Sequence, residues 1–126
     1  MLKALRQMAF VAVLSGTLVL PLAAQAKGPA ACGVQGPSKS NGELDNFRTA
    51  KVNAVGGAGL TVFNNNENKL PAAGKGETYY EFDLGANGFG GRGAHRVVIL
   101  VLAGKKNTMV HSYFTQDHYA TFCEID

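Results

Sequence analysis

The chain has 126 residues, with 12 Lys and Arg against 9 Asp and Glu and a formal net charge of +3. This length fits one small domain. Two of the basic residues lie in an N-terminal segment that we expect to be removed, so the remaining chain would carry a net charge of +1. That balance excludes a protein that holds nucleic acid through a broad basic surface. A partner with phosphate groups would have to be bound by a few well-placed cations.

The N-terminal segment, MLKALRQMAFVAVLSGTLVLPLAAQA, has the layout of a secretory signal peptide. Basic residues precede an apolar run from Met8 to Leu20, and Ala24-Gln25-Ala26 is a small-x-small cleavage site. The alternative is a membrane anchor, but the run is shorter than the roughly 20 residues that span a bilayer. We therefore predict a signal peptide at residues 1–26 and one secreted domain at residues 27–126, with no membrane attachment after cleavage.

Both cysteines, Cys32 and Cys123, lie in the predicted mature chain. Export to an oxidising compartment favours a disulfide between them. The alternative is a pair of buried free thiols. A bridge would join the first segment of the domain to its last, and would close a loop of about 90 residues.

The first part of the domain predicts an extended arm followed by one helix. Residues 27–42 are rich in Gly, Pro, Ser and Ala, with no apolar period. Ser40 or Asn41 could cap a helix that has Glu43 in its first turn, and Gly56-Gly57 would end it. The helix is indicated by apolar residues at helical spacing, which are Leu44, Phe47, Ala50 and Ala54.

The rest of the chain has the pattern of strands. ETYYEFDL alternates between a polar face with Glu81 and an apolar face with Phe82, and RVVILVLA is a continuous apolar run typical of a central strand. This order predicts an α+β domain, in which one N-terminal helix packs on a four- to five-stranded antiparallel β-sheet. The predicted strands span residues 60–63, 77–84, 96–103, 108–114 and 118–125.

Several charged residues are candidates for a site, although each has a simpler interpretation. A mid-strand glutamate such as Glu81 usually faces solvent. Arg92 and Arg96 could be surface cations, but Arg96 begins the most apolar stretch and should need an anionic partner, either Glu81, Asp83 or a phosphate. A lone histidine such as His118 is more often structural than catalytic.

The sequence gives little support for a metal or a nucleotide cofactor. His95, His111 and His118 have spacings that match no short metal-binding motif. The glycine-rich stretches at residues 56–59 and 88–93 lack the Lys-Ser/Thr of a phosphate loop, and are more typical of turns. We predict no metal and no cofactor.

The stretch VFNNNENKLP follows a predicted strand, and in it Asn64, Asn65 and Asn66 precede Glu67. One interpretation is an asparagine-rich turn, because Asn tolerates left-handed backbone. Such a loop also presents backbone N–H groups beside a carboxylate. It could therefore receive a planar ligand that has acceptors on one edge and donors on another.

A glutamate, two arginines and a histidine are the parts needed to cleave RNA with its own 2′-hydroxyl as the nucleophile: a base, an acid and cations for the phosphorane. Four stretches, VFNNNENKLP, TYYEFDL, RGAHRVVIL and TQDHYATF, resemble in this order the barnase-like, secreted microbial guanyl-specific ribonucleases. The resemblance covers residues 60–125 and is weak before residue 60.

The resemblance implies roles for the catalytic residues. Glu81 would be the general base for the 2′-hydroxyl and His118 the general acid for the leaving 5′-oxygen, and they would exchange roles when the 2′,3′-cyclic phosphate is hydrolysed. Arg92 and Arg96 would hold the phosphate, with Tyr119 as a further contact. On this view, Asp117-His118-Tyr119 opens the last strand because that strand delivers the acid to the cleft.

The resemblance also implies how the base is recognised. The backbone of residues 64–66 would meet guanine O6 and N7, and the Glu67 carboxylate would accept hydrogen bonds from guanine N1–H and the exocyclic amine. Phe63 would support this loop, and Asp83 would hold an arginine in place. Adenine offers Glu67 neither hydrogen, so the carboxylate would be left unpaired.

The sequence thus predicts an extracellular, monomeric endoribonuclease that cleaves single-stranded RNA after G through a cyclic phosphate, with a proteinaceous inhibitor as a further candidate partner. The main competing hypothesis is an inactive secreted binding protein on the same fold, which would be expected to lose the Glu, Arg or His residues. Two further candidate functions are a toxin with the same chemistry and a metal-dependent hydrolase.

Overall fold

A computed structural model describes residues 28–40, 42–85 and 93–125 of the chain. The predicted signal peptide, Asn41 and Arg92 lie outside the described residues. In the described part, no helix is both long enough and apolar enough to span a bilayer.

The described residues form one α-helix and a five-stranded antiparallel sheet, which confirms the predicted fold class. The strands lie side by side in chain order, so each connection is a hairpin between neighbours. A short 3₁₀ helix, Gly33–Gln35, precedes these elements. The elements are α1 (Glu43–Gly56), β1 (Thr61–Val62), β2 (Glu77–Asp83), β3 (Arg96–Leu102), β4 (Thr108–Thr115) and β5 (Cys123–Glu124).

The central strand β3 is buried from Arg96 to Val101, as its apolar run predicts. Side chains alternate between the two faces of the sheet, so β2 and β3 contribute to a separate cluster on each side. The helix covers one face, where the buried residues are Phe47, Ala50, Ala54, Leu84, Val97, Ile99, Val101 and Phe114. The other face has a smaller core of Leu70, Tyr79, Val98, Leu100 and Tyr113.

The helix begins differently from the prediction. Its N-cap is Gly42, with left-handed backbone at φ 68° and no side-chain cap, so the predicted cap at Ser40 is wrong. The carboxylate of Glu43, in the first turn, instead accepts a hydrogen bond from the Ser38 backbone N–H at 2.9 Å. The end agrees with the prediction, because Gly57 takes the left-handed C-cap and donates to the Asn53 carbonyl.

A disulfide joins Cys32 to Cys123, as predicted. The arm before the helix runs beside β5, where Ala31 forms a parallel bridge with Glu124. The Cys32 N–H donates to the Glu124 carbonyl at 2.8 Å, and the Glu124 N–H donates to the Ala30 carbonyl at 2.8 Å. The arm therefore covers the β5 edge of the sheet, and the covalent link holds it there.

The last strand is shorter than predicted. Strand β5 contains only Cys123–Glu124, and His118 and Tyr119 belong to the turn that precedes it, with left-handed φ of 53° and 71°. The prediction that Asp117, His118 and Tyr119 open the strand is therefore wrong. Hydrogen bonds made by the Asp117 side chain supply the reason, since short polar side chains compete with regular backbone pairing.

Candidate active site

A polar cluster lies on the face of the sheet opposite the helix. Asp83 on β2 is paired in register with Arg96 on β3, and Glu81 is paired with Val98. The Arg96 Nε lies 2.7 Å from the Asp83 carboxylate, one of the partners that the sequence suggested. Only 4% of the Arg96 side chain is exposed, so its charge is largely shielded from water. It lies beside β2, the strand that carries Glu81.

The guanidinium of Arg96 is also fixed by backbone. Its Nη1 donates to the carbonyls of Gly93 and His95, both at 2.9 Å. A planar guanidinium that donates to two backbone carbonyls through one nitrogen and lies against a carboxylate through another has little freedom to rotate. The arrangement presents a fixed positive group at the edge of the polar cluster.

Tyr119 connects this cluster to the last turn. Burial, followed by the hydrogen bond and negative charge of Glu81, raises the pKa of Tyr119 to about 12, although the charge and hydrogen bond of Arg96 act in the opposite direction. The phenol therefore stays protonated at neutral pH and can donate to the Glu81 carboxylate. Glu81, Arg96 and Tyr119 thus form one hydrogen-bonded group.

The turn that bears His118 is organised by Asp117. The Asp117 carboxylate accepts from the Thr121 N–H at 2.8 Å and its hydroxyl at 2.5 Å, and from the Thr115 hydroxyl at 2.9 Å. The His118 N–H donates to the Ala94 carbonyl at 3.1 Å. These bonds hold His118 in left-handed backbone, which costs energy for a residue other than glycine.

The same bonds predict an acid-sensitive turn. Hydrogen bonds from the Thr121 side chain and backbone, with a smaller one from Thr115, lower the pKa of Asp117 from 3.8 to about 2. A carboxylate whose pKa is lower in the folded state than in the unfolded state stabilises the fold at pH values above its unfolded-state pKa. This stabilisation is lost as the pH falls through the folded-state pKa. Asp117→Asn should lower the melting temperature at pH 6 and flatten its decline between pH 4 and pH 2. An unchanged melting curve at both pH values would contradict this role.

The VFNNNENKLP segment forms a loop beside the cluster. Asn65 has left-handed backbone at φ 50°, in agreement with the asparagine-rich turn. Its side chain closes the loop, because Nδ2 donates to the Leu70 carbonyl at 2.8 Å and Oδ1 accepts from the Leu70 N–H at 3.1 Å. Since this amide is already engaged, Asn65 would be available to a ligand only through its backbone.

A cleft of about 270 Å³ lies between this loop and the last turn. Three aromatic rings are grouped here, with Phe63 at 5.4 Å from Tyr119 and 5.9 Å from Phe122 between ring centroids. Such rings offer flat apolar surface to a planar ligand. The cleft is lined by Val62, Phe63, Asn64, Asn65, Asn66, Glu67, Lys69, Glu81, Tyr119 and Phe122.

Glu67 is 75% exposed and pairs with Lys69, whose Nζ lies 3.2 Å from the carboxylate. The same Nζ donates to the Ala120 carbonyl at 2.6 Å, so Lys69 bridges the two sides of the cleft. Three residues that line the cleft, Val62, Lys69 and Phe122, were missed as site residues in the sequence. All three lie inside stretches that carried the resemblance, but only the folded chain reveals that they face the cleft.

The predicted site residues fall into three groups. The cleft gathers the loop residues with Glu81 and Tyr119, while Arg96 and Asp83 form the adjacent ion pair. His118 does not line the cleft, and its ring lies 4.8 Å from that of Tyr119 at the cleft's edge. Arg92 lies outside the described residues, so its position relative to the cluster stays a prediction.

The other two histidines lie outside this cluster. His95 pairs with Glu43, and His111 pairs with Glu124 at 2.6 Å. Among residues 28–40, 42–85 and 93–125, no three His, Cys, Asp or Glu side chains come together as metal ligands would.

The chain is similar to known ribonucleases. A family model described as ribonuclease matches residues 23–126, which include every strand and the helix. Among solved structures, the crystal structure of ribonuclease Sa2 with guanosine-2'-cyclophosphate is 32% identical, and the match covers 65% of this chain and 85% of that one at a TM-score of 0.44. Among curated protein sequences, none matched the chain. The family match spans most of the sequence and includes the described polar cluster and cleft, and the chain therefore belongs to the barnase-like microbial ribonuclease family.

Proposed function

We propose that this ribonuclease is a secreted endonuclease that cleaves single-stranded RNA after guanosine and forms a 2′,3′-cyclic phosphate. The observation that carries the proposal is the position of Glu81. Its carboxylate lines the cleft for a planar ligand and also belongs to the hydrogen-bonded group with Tyr119 and Arg96. A base bound in the cleft would thus have its ribose and 3′-phosphate beside a carboxylate and a cation.

Glu81 would remove the proton from the 2′-hydroxyl, so that the 2′-oxygen attacks phosphorus. His118 would give a proton to the departing 5′-oxygen, and the P–O5′ bond would break. In the second step the roles reverse, with His118 activating water and Glu81 returning a proton to the 2′-oxygen. Each transfer needs a group within hydrogen-bonding reach of the reacting oxygen, and such groups typically contribute about 10²- to 10⁴-fold.

Arg96 would stabilise the negative charge that develops on the phosphorane. Its guanidinium is buried and already oriented by Asp83 and two carbonyls. A cation held in place in a water-poor site loses little energy to reorganisation during the reaction, which makes it more effective than a mobile surface charge. Arg92 would add a second cation, and Tyr119 would contact the phosphate while it holds Glu81.

Guanine would lie on the Phe63 ring, with residues 64–66 and Glu67 along its edge. In the free protein the Glu67 carboxylate is exposed and paired with Lys69. Discrimination against adenine would therefore arise only when the bound base covers this carboxylate. When guanine covers the Glu67 carboxylate, its N1–H and amine replace the hydrogen bonds that the carboxylate made with water. Adenine presents no donor at those positions.

Glu67→Gln should reduce the preference for guanosine. The amide has only one acceptor oxygen in place of two, so we expect kcat/KM for a GpN dinucleotide to fall by roughly 10- to 100-fold, since one lost base contact is typically worth about 1–3 kcal/mol. The value for ApN should change little. Glu77→Gln, a glutamate outside this cleft, is the matched control. Equal losses on both substrates would show that Glu67 does not read the base.

The proposed export depends on the signal-peptide pattern, and the disulfide supports it because such bonds persist in oxidising compartments. The protein purified from a culture medium should begin near Lys27. N-terminal sequencing that finds Met1 in the secreted material would contradict the assignment of residues 1–26.

The proposal is tested with the chain 27–126, which contains both hydrophobic clusters and the disulfide. The oxidised protein is incubated with end-labelled RNA in excess EDTA. Cuts 3′ of G that end in a cyclic phosphate would support the proposed reaction. Cutting that EDTA abolishes would favour a metal-dependent hydrolase, and a folded protein that binds guanosine nucleotides without cutting would favour a binding protein.

A further inference from the structure

A buried carboxylate lies on the helix side of the sheet, away from the cleft. Glu43, in the first turn of α1, is only 5% exposed. One of its oxygens accepts a hydrogen bond from the Nδ1 of His95, and the other accepts from the Ser38 N–H at 2.9 Å. The proposed chemistry uses neither Glu43 nor His95. A buried carboxylate is costly unless it is paired and hydrogen-bonded, and His95 and the Ser38 N–H supply these contacts.

His95 stands at the end of a short segment that holds two proposed site residues. The Gly93 and His95 carbonyls each accept from the Arg96 guanidinium at 2.9 Å. The Ala94 carbonyl between them accepts from the His118 N–H at 3.1 Å. Three successive carbonyls thus position the proposed cation and the turn that carries the proposed acid.

The side chain of His95 ties this segment to the helix. In addition to its bond with Glu43, the imidazole packs edge-on against the Phe114 ring, with centroids 5.5 Å apart. Gly93 has left-handed backbone at φ 67°, where a glycine has wide conformational freedom. A segment that includes such a residue needs an external anchor if its carbonyls are to stay aligned.

We propose that Glu43 and His95 are a positioning pair for RNA cleavage, which fixes segment 93–95 and through it Arg96 and His118. This inference rests on the proposed roles of those two residues. The pair does not touch the substrate. It would act by keeping the three carbonyls aligned, so that the cation and the acid sit at the correct distance from the reacting phosphate.

The helix has other attachments, so loss of the pair should have a local effect. Phe47, Ala50 and Ala54 are buried in the core beneath the helix. The Asn46 side chain also donates to the Leu84 carbonyl at 2.6 Å. Variants of His95 should therefore keep the helix in place and remain folded at 25 °C.

The test compares His95→Ala with His95→Asn, in which the amide keeps an N–H donor close to the position of Nδ1. With a GpN dinucleotide, His95→Ala should lower kcat by roughly 10- to 100-fold, because a displacement of about 1 Å can cost that much. KM should change less than twofold, and His95→Asn should recover most of the loss. His111→Ala removes the other histidine that pairs with a glutamate, and should leave both constants unchanged.

Amide hydrogen exchange gives a readout that does not depend on activity. In His95→Ala the His118 amide should exchange at least tenfold faster, while amides in the centre of β3 keep their protection. An active parent protein in which His95→Ala leaves kcat and the His118 amide unchanged would overturn the positioning role. If the parent protein is inactive but the His118 amide exchanges faster in His95→Ala, the proposed function is refuted and the pair is supported as an anchor. If the parent protein is inactive and the exchange of this amide is unchanged in His95→Ala, both proposals are refuted.

Discussion

Alanine at either Glu81 or His118 should lower kcat for RNA cleavage by about 10²- to 10⁴-fold, the usual contribution of a positioned acid or base. Glu81 lies in the cleft and hydrogen-bonds to Tyr119, and His118 is held at the cleft's edge by its turn. Neither residue contributes to the two hydrophobic clusters. Melting temperatures of the variants should therefore stay close to that of the parent, so lost activity would reflect lost chemistry.

The double variant makes the test sharper. If Glu81 and His118 act in the same transition state, removing the second should cost much less than removing the first, because groups that act as a unit are not additive. Hydrolysis of guanosine 2′,3′-cyclic phosphate should fall in parallel with RNA cleavage, since the two residues exchange roles. His111→Ala is the matched histidine control. A single variant with more than a tenth of the parent kcat would remove that residue from the proposed mechanism.

Reduction of the Cys32–Cys123 disulfide should lower the free energy of unfolding by more than the Asp117→Asn substitution or any substitution in the cleft. The two residues are 91 positions apart in sequence. A crosslink that closes so long a loop stabilises the folded state by about 4–5 kcal/mol in a chain-entropy model. For a domain of this size each kcal/mol moves the melting temperature by roughly 4–8 °C, so the reduced protein should melt about 20 °C or more below the oxidised one.

Scanning calorimetry with and without a phosphine reductant measures the difference. The double variant Cys32→Ser, Cys123→Ser should match the reduced parent and should not respond to reductant. The bond also lies next to Phe122, which lines the cleft, so reduction should weaken binding of 3′-GMP as well. An unchanged melting temperature would contradict the stabilising role of the disulfide.

Local patterns in the sequence were enough to predict the helix, the central strand and the two-sided character of β2. The helix and the two faces of β2 depend on periodicity, because each apolar residue is buried by its place in a repeat of 3.6 or 2, whereas the central strand is indicated by its continuous apolar run. The spacing of Phe47, Ala50 and Ala54 is enough to define the buried side of the helix. The family motifs likewise named most residues of the cleft, since they come from short continuous segments.

The last turn and the contacts that support the site depend instead on the folded arrangement of the chain. The stretch after Asp117 is predicted as a strand from its sequence, but hydrogen bonds of Asp117 to Thr115 and Thr121 stabilise a turn instead. The Glu43–His95 pair joins positions 52 residues apart, and Lys69 reaches a carbonyl 51 residues away. Periodicity carries no information on such pairs, because they depend on which polar groups the packed helix and sheet bring within hydrogen-bonding distance.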